Sequence, residues 1–571
     1  MSVEQLITAH LDIWTAADTE KKSGRGRSSG NAGSVYGIKK LRELILCLAI
    51  SGRLLPQHLE DVATLDLMIQ LGIKKKVVNE VLLNEFPIPD SWQWLYISDL
   101  CNLKTGATPS TTKSDYYGGT IRWLVSGDIH ENEIYDCKGR ITESGLENSN
   151  CKILPKNSVL IALNGQGKTR ATVAVLKCEA ACNQSLVAMI QKYENLVLPK
   201  FLWLNLKYRY SEIRDITGQN QRRGLNMGLI GDLSISVPPI AEQNRIIAKV
   251  DELLALCDQL ENQHNNAAEA HEKLVTHLLG TLTQSQNAED FNTNWQRISV
   301  HFDTLFTTEA SIDALKQTLL QLAVMGKLVP QDPNDEPASE LLKRIQAEKA
   351  KFVAEGKIKK NKPLAEIEDD EKPFDLPVGW KWVFLPDVSE YKVGKTPSTK
   401  SSVYWTTSGD GFNWVSIADL NHDGSVIETT KQITDKAVSE VFRYEPAPVG
   451  TILMSFKLTL GKISTLEVPA FHNEAIISIY PNQSIFKDYL FKVLPARAMA
   501  GNSKSAIKGN TLNSESIAAL MIPLPPIEEQ YRIVVKVDEL MALCDQLKVC
   551  ITSSNQLQQK LADVMVEQAI N

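Results

Sequence analysis

Ile240–Leu260 reads IAEQNRIIAKVDELLALCDQL, and Ile527–Leu547 reads IEEQYRIVVKVDELMALCDQL. Sixteen of the 21 aligned positions are identical, at a constant offset of 287 residues. Shared helical composition does not give that agreement; internal duplication does. Each copy follows a double proline, Pro238-Pro239 and Pro525-Pro526. Proline suits the first turn of a helix and nothing deeper, so each pair marks a helix start. In the first copy Ile246, Val250, Leu253, Cys257, Leu260, His264, Ala267, His271, Leu274 and Leu278 step by four and three, which is a heptad seam. The second copy gives Ile533, Val537, Leu540, Cys544, Leu547 and Ile551, then loses strict register before Leu561 and Val564. A helix over 240–280 would be about 60 Å long, and alone it would leave its apolar stripe in water. The near-identical seams are self-complementary, so the sequence predicts that the two long helices pair with each other. Local packing of each as a bundle helix is the alternative. His264 and His271 fit as polar residues that set the register rather than as metal ligands.

Other pieces recur in the same order. Leu41–Gln57, LRELILCLAISGRLLPQ, is echoed by Leu315–Gln331, LKQTLLQLAVMGKLVPQ. Pro89–Leu100, PDSWQWLYISDL, is echoed by Pro377–Val388, PVGWKWVFLPDV, and TGATPS at 105–110 by VGKTPS at 393–398. The shared pieces flank two globular segments whose interiors diverge: LIALNGQGKT at 160–169 stands against ILMSFKLTLG at 452–461. The resulting division is a helical extension at 1–88, a globular segment at 89–237, a long helix at 238–283, a helical scaffold with a charged linker at 284–376, a second globular segment at 377–524 and a second long helix at 525–571. Lys21–Ser34 is basic and rich in Gly and Ser, which predicts a mobile loop. Glu348–Lys372, dense in Lys and Glu, predicts an exposed helix followed by a loose tether.

Within the globular segments, β-rich runs at 120–125, 158–163, 171–176 and 450–455 lie between turn signals, and helix-like sequence follows at 200–216 and 487–500. The fold class is α+β. Basic residues gather late in each segment: Lys200, Lys207, Arg209, Arg214, Arg222 and Arg223 in the first, and Lys487, Lys492, Arg497, Lys504 and Lys508 in the second. Gln219 and Gln221 are interleaved in the first cluster, Asn502 and Asn510 in the second. Lys and Arg neutralise phosphates, while Arg, Gln and Asn form paired hydrogen bonds with base edges, so both clusters are candidate double-stranded DNA contacts. Thr108, Ser110 and Lys113, with Thr396, Ser398 and Lys400, form two further candidates, either as phosphate contacts or as turns with a packed aromatic. The Trp-x-Trp pairs, Trp92/Trp94 and Trp380/Trp382, are expected to anchor the core.

The net charge of −7 argues against a protein coated in positive charge but leaves a local basic surface possible. At 43% hydrophobic and 23% charged, the composition excludes collagen-like and wholly disordered chains. The nine cysteines are scattered and form no CxxC pair, which predicts reduced thiols in a cytosol and no zinc ribbon. No export or membrane segment is expected, and the protein is expected to be cytoplasmic. NGQGKT at 164–169 lacks the first glycine of a phosphate loop, since Ala162 stands there. VPPI at 237–240 has only a distant likeness to the NPPY of amino-methyltransferases, and DDEK at 369–372 sits in a charged linker. No catalytic residue and no metal site is assigned, and the pattern favours a binder over a catalyst.

The doubled PxxW start, G-x-TPS loop and PPI-x-EQ-x-RI-x-x-KVDEL close resemble specificity subunits of type I restriction-modification systems over nearly the whole chain, and the opening MSVEQLITAHLDIW and the length look most like the type IB group. The resemblance implies two pseudo-symmetric target recognition domains separated by a pair of long antiparallel coiled-coil helices. It implies that each domain reads one half of a bipartite asymmetric site. The implied partners are two methyltransferase subunits and two restriction subunits. No cofactor is expected in this chain; S-adenosylmethionine, ATP and Mg are expected on the partners. A structural adaptor that binds only proteins through its long helices is the alternative reading.

Overall fold

The computed structural model describes residues 9–16, 35–73, 86–130, 132–165, 169–216, 225–356, 367–407, 409–421, 423–457, 459–500 and 514–570. The chain divides into two compact units. One comprises residues 1–267 and 554–571, the other residues 268–553.

In the first unit the strands are β1 (Gln93–Tyr96), β2 (Cys101–Thr105), β3 (Tyr117–Leu124), β4 (Glu133–Ile134), β5 (Arg140–Ile141), β6 (Val159–Ala162), β7 (Val173–Leu176), β8 (Ala181–Cys182), β9 (Leu186–Gln191) and β10 (Ser234–Val237). They build a five-stranded sheet in the order β2-β9-β6-β7-β4, a small sheet β5-β3-β8, and the pair β1-β10. The inner strands read VLIA, VAVL and LVAMIQ and are buried along almost their whole length. Continuous apolar runs of this kind need cover on both faces. Phe201, Leu202 and Leu204, on the helix Pro199–Tyr208, are fully buried in the cluster that covers one side.

The second unit repeats this plan with β11 (Lys381–Phe384), β12 (Ser389–Val393), β13 (Trp405–Thr406), β14 (Phe412–Val415), β15 (Gly424–Val426), β16 (Lys431–Ile433), β17 (Ile452–Ser455), β18 (Ile463–Leu466), β19 (Ala470–His472), β20 (Ile476–Pro481) and β21 (Met521–Leu524). Its sheets are β12-β20-β17-β18-β15, β13-β16-β14-β19 and β11-β21. In both units the chain enters and leaves the sheet-rich domain on one antiparallel pair, Gln93 opposite Val237 and Lys381 opposite Leu524.

The long helices run from Ile240 to Thr283 and from Ile527 to Ile570, each beginning at its proline pair. Ile246, Val250, Leu253 and Cys257 are buried in the first unit with Ile38, Leu41 and Ile45 of the helix Tyr36–Ile50 and with Ala562 from the end of the second long helix. Ile533, Val537, Leu540 and Cys544 are buried in the second unit with Leu315, Leu319 and Leu322 of the helix Glu309–Val324 and with Val275, Leu279 and Leu282 from the end of the first. Leu260 and Leu547 are partly buried against the same clusters. Each long helix therefore opens in one unit and ends in the other, in opposite senses, so the fold is α+β with a pair of long antiparallel helices.

Two details differ from the heptad reading. Ala267 and Leu274 are exposed, and Val275, Leu279 and Leu282 are the residues turned inward. At the other end Leu561 and Val564 are exposed, while Ala562 is fully buried and Met565 and Val566 pack on the core. Adjacent apolar residues occur at both places, and a four-three pattern does not say which of two neighbours faces the partner. Each seam is also covered first by the duplicated short helix of its own unit, so much of its burial is local packing.

The charged stretch behaves in part as expected. The helix begins earlier, at Ala338, buries Leu341, Leu342 and Ile345, and runs to Ala354. Lys21–Ser34 and residues 357–366 lie outside the described residues.

Candidate nucleic-acid interface

The repeated motifs converge on one junction in each unit, where the paired entry and exit strands meet the long helix. The helix Tyr36–Ile50 ends at Gly52 (φ +73°), and its counterpart ends at Gly326 (φ +69°). Left-handed backbone after a helix end favours glycine. There is no room for a side chain either: a Cβ on Gly52 or Gly326 would sit 2.5 Å from the ring of Pro89 or Pro377. That contact seats the PxxW start.

The first tryptophan of each Trp-x-Trp pair then donates to the glutamate of PP-x-EQ. Trp92 Nε1 lies 2.9 Å from Glu242, and Trp380 Nε1 lies 2.8 Å from Glu529. Each carboxylate also accepts from the glutamine that closes the preceding repeat, Gln57 at 2.6 Å and Gln331 at 3.0 Å. Both glutamates are 1% exposed. Burial pushes both carboxyls above the usual carboxylate range, and the tryptophan and glutamine bonds act against it. The next residue ties the domain's helix to the same point: the Gln243 side chain accepts from Leu198 N at 2.7 Å, and Gln530 accepts from Phe486 N at 3.0 Å. The motif arginines pair with aspartates, Arg245 with Asp61 and Arg532 with Asp335. The hydrogen bond from Arg245, with its charge, holds the Asp61 carboxyl below its ordinary value.

The second tryptophan of each pair covers a buried arginine. Arg209 is 1% exposed, donates to Ser234 O at 2.8 Å and lies 5.3 Å from the Trp94 ring. Arg497 is 5% exposed, donates to Met521 O at 3.0 Å and lies 5.0 Å from the Trp382 ring. Both were expected at the DNA surface, and the structure corrects this: a guanidinium sealed under an indole and bonded to strand backbone is a core group. Lys207 is also turned inward. It bonds Asn132 at 2.9 Å, lies 4.4 Å from the Trp203 ring, and lines a cleft of about 530 Å³ with Arg42, Asp251 and Asp258. Burial lowers its pKa.

The TPS loops are exposed and lie against the small sheet of each unit. A Cβ on Gly106 would fall 1.6 Å from Cys182 O, and on Gly394 2.1 Å from His472 O, so the loop backbone rests directly on β8 or β19. Trp123 Nε1 donates to Ala107 O at 3.1 Å, and Trp414 Nε1 donates to Lys395 O at 3.1 Å. Thr108 donates to Gln184 at 2.7 Å, Thr396 bonds Glu474, and Lys113 bonds the Tyr116 hydroxyl at 2.9 Å. Ser110, Ser398 and Lys400 are exposed. Arg214 is half-buried and bonds Arg170 O at 3.0 Å, while Arg170 bonds Arg214 O at 2.6 Å. Arg170 borders the NGQGKT stretch and was not singled out from sequence, because a lone arginine beside a failed phosphate-loop match carried no signal. Gln219, Gln221, Arg222, Arg223, Asn502, Lys504, Lys508 and Asn510 lie outside the described residues.

Among the described residues no group of three or more His, Cys, Asp or Glu could hold a metal ion, and no helix is long and apolar enough to cross a membrane.

Residues 89–270 and 377–558 each match the family described as Type I restriction modification DNA specificity domain. The chain is 34% identical to the type I restriction enzyme EcoAI specificity subunit of Escherichia coli and 33% identical to the EcoEI specificity subunit of the same organism, with all of both chains covered in each case. A solved structure described as "Structural basis underlying complex assembly andconformational transition of the type I R-M system" superposes on 85% of this chain and 99% of its own, at a TM-score of 0.51 and 18% identity, which is a likeness of fold.

Proposed function

The chain belongs to the family of type I restriction-modification DNA specificity subunits, and from that premise we propose that it reads a bipartite, asymmetric DNA site and directs partner subunits to it. Its full-length relatives are specificity subunits, and the chain is a non-catalytic member of that family. The first recognition domain, 89–237, takes one half-site, and the second, 377–524, takes the other. The observation that carries this reading is the pairing of like junctions with unlike surfaces: the glutamate clamp and buried arginine are the same in both units, while the chemistry on the small sheets differs. A duplicated frame holding two unlike readers suits a target with two unlike halves.

DNA contacts are assigned to the exposed TPS loops through Thr108, Ser110, Lys113, Thr396, Ser398 and Lys400, to Arg214, and to the two late basic clusters through Gln219, Gln221, Arg222, Arg223, Asn502, Lys504, Lys508 and Asn510. The seam residues of the long helices hold the frame. Two methyltransferase and two restriction subunits are the partners, and S-adenosylmethionine, ATP and Mg act on them.

The test is selection from a random duplex library by the full chain with its methyltransferase partner. The expected product is two short fixed sequences separated by an unselected spacer. Binding of the partner protein with no preference among duplexes would overturn this reading in favour of a structural adaptor.

A further inference from the structure

The small sheets of the two units can be aligned residue by residue without reference to sequence. In the first, Ile121 lies opposite Ile141 and Arg122 opposite Arg140. In the second, Phe412 lies opposite Ile433 and Asn413 opposite Gln432. The next residue on each inner strand is a tryptophan, Trp123 or Trp414, whose indole donates to the residue before the TPS threonine at 3.1 Å in both units. The third strand is parallel in both, with Trp123 opposite Ala181 and Trp414 opposite Phe471. Arg122 and Arg140 in one unit therefore occupy the places of Asn413 and Gln432 in the other.

Residues directly opposite on an antiparallel pair share a face, and neighbours along a strand alternate. The tryptophan fixes one face against the TPS loop; the cross-strand pair occupies the other. Around it the apolar frame is kept, with Ile121 and Phe412, Leu124 and Val415, and Ile141 and Ile433 at matching places. The pair changes from two guanidiniums to two carboxamides, and on the third strand Ala181 and Cys182 give way to Phe471 and His472.

Both pairs retain hydrogen-bonding capacity. Asp136 accepts from Arg122 Nε at 2.8 Å and from Arg140 at 2.9 Å, and Arg140 also donates to Gly139 O at 2.9 Å and to Cys137 O, so Arg140 is tied to its own strand and the shared carboxylate aims Arg122. Among the described residues Nε is the only Arg122 side-chain atom with a protein partner, which leaves its two terminal nitrogens as the planar fork that takes two acceptors at once. Arg122 retains 40% and Arg140 29% of its side-chain exposure. Among the described residues Asn413 has only two long side-chain bonds, 3.3 Å to Pro469 O and 3.3 Å from Thr429, and Gln432 has no side-chain partner.

We propose that this cross-strand pair is a base-reading position in each recognition domain, with Arg122, positioned by Asp136 beside Arg140, selecting guanine in one half-site and Asn413 and Gln432 selecting adenine in the other. The inference rests on the DNA-reading function proposed above. Arginine presents two donors that match the O6 and N7 acceptors of guanine, whereas a carboxamide presents one donor and one acceptor that match N7 and the amino group of adenine.

The experiment is duplex selection with the full chain carrying Arg122→Asn with Arg140→Gln, and separately Asn413→Arg with Gln432→Arg. Each double variant should change guanine to adenine, or adenine to guanine, at one or two positions of one half-site and leave the other half intact. Discrimination at those positions should shift by roughly 5- to 150-fold per contact. Arg122→Lys keeps the charge and loses the fork, so its discrimination should fall while total affinity stays within a few-fold, which guards against a folding defect in the double variant. Wild-type protein that selects no sequence would overturn the DNA-reading function itself. Wild-type protein that selects a two-part site, with folded variants that keep every base preference, would leave that function standing and reject this pair.

Discussion

Replacing Glu242 with alanine should loosen the first recognition domain at its junction. The side chain is 1% exposed and accepts from Trp92 at 2.9 Å and from Gln57 at 2.6 Å. Removing it leaves the Trp92 indole, 1% exposed, buried without a partner, at about 1–3 kcal/mol, whereas Gln57 is exposed and turns to water. Relief of the cost of burying a carboxylate offsets part of this. The expected net loss is about 1–2 kcal/mol, or roughly a 5- to 30-fold rise in local opening. The duplicated unit supplies an independent repeat in Glu529→Ala, which removes the partner of Trp380 and Gln331. The assay is hydrogen exchange of the full chain, read at the amides of β1 with β10 and of β11 with β21. Glu242→Gln adds a pH signature. Burial raises this carboxyl in the folded state, so its contribution is present below the unfolded value and fades as pH rises through the folded one. The glutamine variant should therefore gain on wild type as pH rises through that window. Exchange altered less than twofold in both alanine variants would refute the clamp.

His472 is 5% exposed, and burial lowers its pKa from 6.5 to about 4. Its neutral form thus adds stability above pH 6.5 that is lost as pH falls toward 4, by about 3 kcal/mol in total, and His472→Gln should flatten that part of the stability–pH curve of the second unit. Arg209→Met and Arg497→Met should lower melting temperature and leave the salt dependence of DNA binding unchanged, because both guanidiniums are internal. Arg222→Ala with Arg223→Ala should instead reduce the slope of log affinity against log salt by about 2 with stability unchanged, as measured by titration at several salt concentrations. Gly106→Ala places a Cβ 1.6 Å from Cys182 O; it should displace the TPS loop and cost at least about 2 kcal/mol in urea unfolding.

The duplication was legible because the identical residues are the ones that build the junction. Glu242, Gln243 and Arg245 recur as Glu529, Gln530 and Arg532, each with the same kind of partner, so their identity in the text reflects identity of contact. The start of each long helix was legible from its prolines, and the β-rich runs from their apolar content. The side of the seam at Leu274/Val275 was not, since both neighbours are apolar. Arg209 and Arg497 were misread because counting charge along a chain treats every arginine as a surface group, and burial under a tryptophan 115 residues away in sequence leaves no local mark. The clamp partners Gln57 and Glu242 are likewise 185 residues apart. The Arg122–Arg140 and Asn413–Gln432 pairs depend on strand register, which the short irregular strands did not reveal.

The measurement that bears most directly on two independent readers in one frame is a domain exchange. Residues 105–235 would be replaced by the matching segment of another family member, and the methylated or bound site sequenced. One half of the site should be replaced and the other kept with its spacing. A hybrid that binds and alters both halves, or neither, would contradict the account.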